Sequence, residues 1–165
     1  KSGESLETAH LVDTIVLDKT GTITKGHPAV TDILTAPGID EAELLGLAAS
    51  LEQASEHPLA EAIVKCAKSR SIRLEKASDF EAVAGQGVTG SVGGRTVLAG
   101  NRKMMKARQV DTAGLEKQGE AFAEEGKTSL YIAGEGRLLG ILAVADPVKE
   151  TSAQAIRELE QMGFP

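Results

Sequence analysis

Thr14-Ile15-Val16-Leu17-Asp18-Lys19-Thr20-Gly21-Thr22-Ile23-Thr24 is the stretch whose reading decides the fold. The apolar run predicts a buried β-strand over about Thr14–Asp18, ending on a carboxylate and followed at once by a small-residue turn. An aspartate at the carboxyl end of a parallel strand stands where open α/β sheets bind ligands. Lys19 adds positive charge, while Thr20, Gly21 and Thr22 add hydroxyls and closely approachable backbone. The combination suits a carboxylate that attacks phosphorus. Any four of these residues could form an ordinary polar turn; seven in register after a strand point to chemistry.

Composition narrows the field. The only aromatic residues are Phe80, Phe122, Tyr131 and Phe164, so the core must rest on Val, Ile, Leu and Ala. Few aromatics and a net charge of −6, with no basic run longer than Arg102-Lys103, argue against nucleic acid or an anionic membrane as partner. Cys66 is the sole cysteine, which rules out an intrachain disulfide and a Cys-x-x-Cys metal site. Inside an apolar-periodic helix it reads as a small buried hydrophobe. No apolar run approaches the length of a membrane span and there is no signal peptide, so this stretch is expected to be soluble.

Working outward, Ala29–Leu34 predicts a strand, and Asp40 with Glu43 predicts a capping box opening a helix that runs to about Gln53. Pro58 suits the first turn of a second helix carrying Leu59, Ile63, Val64 and Ala67. From Asp79 the pattern turns to β, with strands at Phe80–Ala84, Val88–Val92 and Arg95–Ala99 and a hairpin turn at Gly93-Gly94. Helices are expected near Arg102–Ala107 and Thr112–Glu125, then strands at Ser129–Ala133 and Leu138–Ala145. Asp146-Pro147 reads as the opening of a last helix carrying Val148, Ile156, Leu159 and Met162. His10 and His27 have no ligand-spaced partners and are expected to be exposed.

The stretch Asp18–Thr24 resembles the phosphorylation signature of P-type ATPases, ion pumps with a haloacid-dehalogenase-like catalytic core. Ser55-Glu56-His57-Pro58-Leu59 is similar to the histidine-proline signature of the heavy-metal (type IB) subclass. Gly85-Gln86-Gly87-Val88 and Gly100-Asn101 follow in the expected order, so the resemblance covers nearly the whole chain. The lead-in Gly3–His10 resembles that of the copper branch, although zinc and cadmium pumps have similar lead-ins.

The resemblance implies an α/β fold. Residues 1–27 and 144–165 would form part of a phosphorylation domain, interrupted over 28–143 by an α+β nucleotide-binding domain with an antiparallel sheet flanked by helices. It implies ATP-driven metal export, with Cu⁺ the preferred cargo, at the cytosolic face of a membrane. The actuator and membrane domains of the same pump would be the partners. Asp18 would be the nucleophile, and Mg²⁺ would bridge its carboxylate, the phosphate and the carbonyl of Thr20. Lys19 would neutralise charge and Thr22 could bond a phosphoryl oxygen. Glu52 would lie near the amino group of adenine and His57 close to its ring. Gly85 and Gly87 would let nucleotide lie against bare backbone, with Gly100 and Asn101 adding a polar contact.

Structural roles compete at each position: a helix cap for His57 and Asn101, a hairpin turn or bulge for the glycines. After Met162–Pro165 the family would continue into a Thr-Gly-Asp strand end, a lysine and a Gly-Asp-Gly-x-Asn-Asp motif. Those motifs carry the remaining magnesium and phosphoryl ligands, so this chain alone is expected not to turn over ATP. The alternative is a non-catalytic nucleotide-sensing or interaction module. A soluble phosphatase of the haloacid dehalogenase type fits less well, because such enzymes favour a second aspartate where Thr20 stands.

Overall fold

The computed structural model describes residues 12–164; the lead-in Gly3–His10 and Pro165 lie outside them. The chain divides into two compact units, Pro28–Ala145 and the pair of segments Lys1–His27 with Asp146–Pro165.

The first unit is built on a six-stranded antiparallel sheet. Its strands are β1 (Ala29–Thr35), β2 (Ser78–Val83), β3 (Gly87–Val92), β4 (Arg95–Gly100), β5 (Thr128–Gly134) and β6 (Arg137–Ala145). They lie in the order β1-β6-β5-β4-β3-β2. β6 reads as a nearly continuous apolar run because it sits inside the sheet and is buried on both faces. β2 lies at an edge and is mostly exposed.

Alternation along the strands sorts the core into two layers. Val97, Ala99, Ile132, Leu142 and Val144 point to one face, under α1 (Glu41–Glu52) and α2 (Pro58–Ser69). Leu98, Tyr131, Ala133 and Ile141 point to the other, against Met104 and Met105 of α3 (Arg102–Ala107). A fourth helix, α4 (Glu116–Glu124), lies against β5. Aliphatic burial of this kind contributes roughly 1.5–3 kcal/mol per large side chain, so the scarcity of aromatics does not deprive the unit of a core.

Helix starts follow local chemistry. Asp40 caps α1 by accepting from the backbone N–H groups of Ala42 (2.9 Å) and Glu43 (3.3 Å). The reciprocal half of the expected capping box is not made, because the Glu43 carboxylate pairs with Arg95 at 2.7 Å instead. α4 starts later than the expected Thr112. The Asp111 carboxylate accepts from Ala113 N (2.9 Å) and Leu115 N bonds Thr112 O (3.0 Å), holding these residues in a turn.

Two expectations for the second unit fail. Residues 14–18 form no strand, and Val16 is 91% exposed. A strand is completed by a neighbour's hydrogen bonds, and among the described residues none pairs with this segment. The last helix, α5 (Ser152–Gln161), begins beyond Thr151 rather than at Asp146-Pro147. Residues 146–149 instead run beside Ile23–Lys25, with Lys25 N bonding Pro147 O (2.8 Å) and Lys149 N bonding Ile23 O (2.9 Å). Val148, expected on the apolar side of that helix, is therefore exposed.

Candidate functional site

In the first unit, the end of α1, the start of α2, the β2–β3 turn and the start of β5 enclose a cavity of about 410 Å³. That is within the size range of small-ligand sites. Glu52, His57, Gly85, Gly87 and Asn101 all line it. Gly100 does not. It is buried, paired with Gly87 across β3 and β4, and packed under Met104.

Glu52 is the last residue of α1 and only 6% exposed, set among Leu59, Ala60, Val83, Val88 and Leu130. Burial pushes its carboxyl up to about 7, against a smaller opposing pull from Ser55. It is a carboxyl poised between its two forms in an apolar recess. His57 stands at the N-cap of α2, where Nδ1 accepts from Leu59 N at 3.1 Å. An accepting Nδ1 places the proton of the neutral ring on Nε2. Capping and cavity lining therefore coincide in one side chain.

Asn101 is an N-cap too. Its Oδ1 accepts from Met104 N (3.1 Å), its Nδ2 donates to Gly85 O (2.9 Å), and its backbone N–H donates to Gln86 O (2.8 Å). These bonds fasten the β2–β3 turn to the start of α3. Gly87 has a φ of 147°, and a Cβ there would collide with the carbonyl of Ala99. Gly85, at φ 66°, has open space where a side chain would be.

Thr128, Ser129 and Leu130 complete the wall. Sequence reasoning passed over them because a strand's first residues carry no motif. Their only signal was the small polar pair opening a β run.

The second unit holds the Asp18 loop. Lys19–Ile23 is one wide turn, closed by Thr24 N to Lys19 O (3.0 Å), with Gly21 in the left-handed region at φ 78°. Thr24 is buried beneath it, its Oγ1 accepting from Gly21 N (3.2 Å) and lying 2.5 Å from a carboxylate oxygen of Asp146. The other oxygen of Asp146 accepts from Gly26 N (2.9 Å) and His27 N (3.2 Å), and Lys149 Nζ donates to Gly21 O (2.6 Å). Asp146 therefore braces this loop instead of capping a helix.

Asp18, Lys19, Thr20 and Thr22 are exposed above this frame. Among the described residues no group of three His, Cys, Asp or Glu could hold a metal ion. Magnesium demands near-octahedral oxygen coordination. Asp18 and Thr20 alone do not build that site.

A family profile for haloacid dehalogenase-like hydrolases matches residues 12–165. The chain belongs to this family. It is 48% identical over 164 residues to copper-transporting ATPase 2 of Rhizobium meliloti (strain 1021), covering 99% of this chain and 20% of that protein. A crystal structure of a zinc-transporting PIB-type ATPase in its E2.Pi state superposes with a TM-score of 0.89 at 35% identity, covering 99% of this chain and 26% of that one. The N-domain of HMA6, a copper-transporting P-type ATPase, covers 72% of this chain and is itself 99% covered, with a TM-score of 0.61 at 28% identity. The resemblance to heavy-metal P-type ATPases drawn from the motifs thus extends along 99% of this chain. The chain spans about a fifth of the length of the curated relatives it matches.

Proposed function

We propose that Pro28–Ala145 is the nucleotide-binding part, and the Asp18 loop the phosphoryl-accepting part, of a heavy-metal-transporting P-type ATPase. The observation that carries this reading is the convergence of Glu52, His57, Gly85, Gly87 and Asn101 on one cavity. Adenine would occupy it, with Glu52 at the amino group and His57 against the ring. In the intact pump a carboxylate oxygen of Asp18 attacks the γ-phosphorus. The new O–P bond forms as the bond to the β-phosphate oxygen breaks and ADP leaves. Copper is the proposed cargo because the curated relative at 48% identity is named for copper transport.

The isolated chain is expected to bind nucleotide without turning it over, since among the described residues Asp18 and Thr20 are joined by no group of three His, Cys, Asp or Glu that could hold a metal ion. Calorimetric titration of the chain is expected to give ATP and ADP affinities within about tenfold, or about 1.4 kcal/mol. A preference for ATP of about a hundredfold would place a working phosphate site in this chain and overturn that division.

A further inference from the structure

Glu52 is a buried carboxyl without a countercharge. It is 6% exposed, and among the described residues no Lys, Arg or His forms an ion pair with it. The elements facing it bring little charge. β2 and β3 contribute Ala82, Val83, Gly87 and Val88, β5 contributes Thr128, Ser129 and Leu130, and the only other ionisable side chain lining the cavity is His57 at the start of α2. An ionised carboxylate in such a place loses its hydration and gains no countercharge, only the weaker pull of Ser55.

From this geometry we propose that Glu52 reads the base as a neutral carboxylic acid, and that its ionisation lowers the cavity's preference for adenine over guanine. The proposal rests on the nucleotide reading above and adds how the site selects its base.

The Watson–Crick edge of adenine presents an N–H donor at N6 beside an acceptor at N1. A neutral carboxyl answers both, its C=O accepting from N6 and its O–H donating to N1. A carboxylate only accepts, so it satisfies N6 and repels the N1 lone pair. Guanine presents two adjacent donors, N1–H and N2–H, and those suit the carboxylate. Loss of one proton from Glu52 therefore weakens adenine and strengthens guanine at the same position. Burial puts that proton loss near pH 7.

The test is the ratio of ATP to GTP affinity of the full chain, measured by calorimetry from pH 6 to pH 8. Both ligands carry the same triphosphate, so its titration cancels in the ratio, as does any contribution of His57 to phosphate. The ratio is expected to fall by up to about a hundredfold over this range, about tenfold from weaker ATP binding and about tenfold from stronger GTP binding as a group at its middle titrates. Glu52→Gln keeps one donor and one acceptor but cannot ionise, and is expected to flatten the profile. A ratio constant with pH in the unmodified chain would overturn the proposal while leaving nucleotide binding intact. So would a Glu52→Gln profile as steep as the original. Absence of any ATP binding at pH 6 would instead bring down the reading on which the proposal rests.

Discussion

The unit Pro28–Ala145 and the unit holding Asp18 carry the same kind of signal in sequence, short motifs of polar and small residues, yet they differ in how much of a site each builds. In the first, a two-layer aliphatic core leaves a recess at one end of the sheet, and the polar groups needed to orient a ligand already project into it. In the second, the backbone of the loop is braced at Thr24, Asp146 and Lys149, but the carboxylate it presents stands in water. The contrast fits the two roles proposed above. Holding a flat base needs shape, desolvation and one or two hydrogen bonds, which a single small domain can supply. Transferring a phosphoryl group needs several charges converging on one point.

The largest expected effect tests that division directly. In a pump carrying this sequence, Asp18→Asn is expected to abolish the acid-stable, hydroxylamine-sensitive phosphoenzyme. ATP affinity should stay within about twofold, below ~0.5 kcal/mol. Acid-quench labelling with γ-labelled ATP beside equilibrium binding measures both. Persistent labelling of the asparagine variant would remove Asp18 from the chemistry.

Next in size is the separation of two glycines that look alike in sequence. Gly87→Ala puts a Cβ into the Ala99 carbonyl at a φ of 147° and is expected to cost about 3 kcal/mol or more. Gly85→Ala meets nothing within 4 Å and bears only the left-handed backbone cost of about 1–2 kcal/mol. Urea denaturation of both variants checks the order; equal losses would show that the β3–β4 approach is looser than described.

Glu52 gives a pH dependence of similar or smaller size. Its carboxyl is raised from 4.5 in the unfolded chain to about 7 in the fold. Below pH 4.5 it is protonated in both states and its contribution to stability is fully present. As pH rises to about 7 the folded state holds the proton and the unfolded state does not, so stability falls, and above that it levels off. The total loss is up to about 3 kcal/mol. Glu52→Gln should remove this slope, and denaturation of both proteins from pH 4.5 to 8 measures it. Parallel curves would mean that the carboxyl is solvated in the folded state.

The sheet unit was legible in the sequence because its signals are local and mutually consistent. Period-two runs gave β3, β4 and β5, Gly93-Gly94 gave the hairpin, and Asp40 gave the start of α1. What misled were positions where one residue serves two masters. Asp146 reads as a helix cap, but its carboxylate is claimed by Thr24, Gly26 and His27, more than a hundred residues away in sequence. Glu43 reads as half of a capping box and is claimed by Arg95. The run Thr14–Leu17 has the composition of a strand, but composition supplies no neighbour to bond it. The cavity was legible only by resemblance, because the distances between Glu52, Gly85 and Asn101 along the chain say nothing of their convergence.

The smallest expected effect concerns His57, in which two roles share one ring. Nδ1 caps α2 through Leu59 N, leaving Nε2–H and the ring face for a ligand. His57→Gln disturbs both roles. It is expected to weaken ATP binding several-fold and to lower stability by about 0.5–1 kcal/mol, the usual worth of a cap. That variant alone cannot tell the roles apart. Asparagine can, since its short side chain is among the best N-caps and offers no ring. His57→Asn is therefore expected to keep the melting temperature within about 2 °C, because a change well under 1 kcal/mol moves a domain of this size little. Its ATP affinity should fall as far as that of His57→Gln. A His57→Asn protein that binds ATP like the original would show that the histidine serves the helix and leaves the base to Glu52.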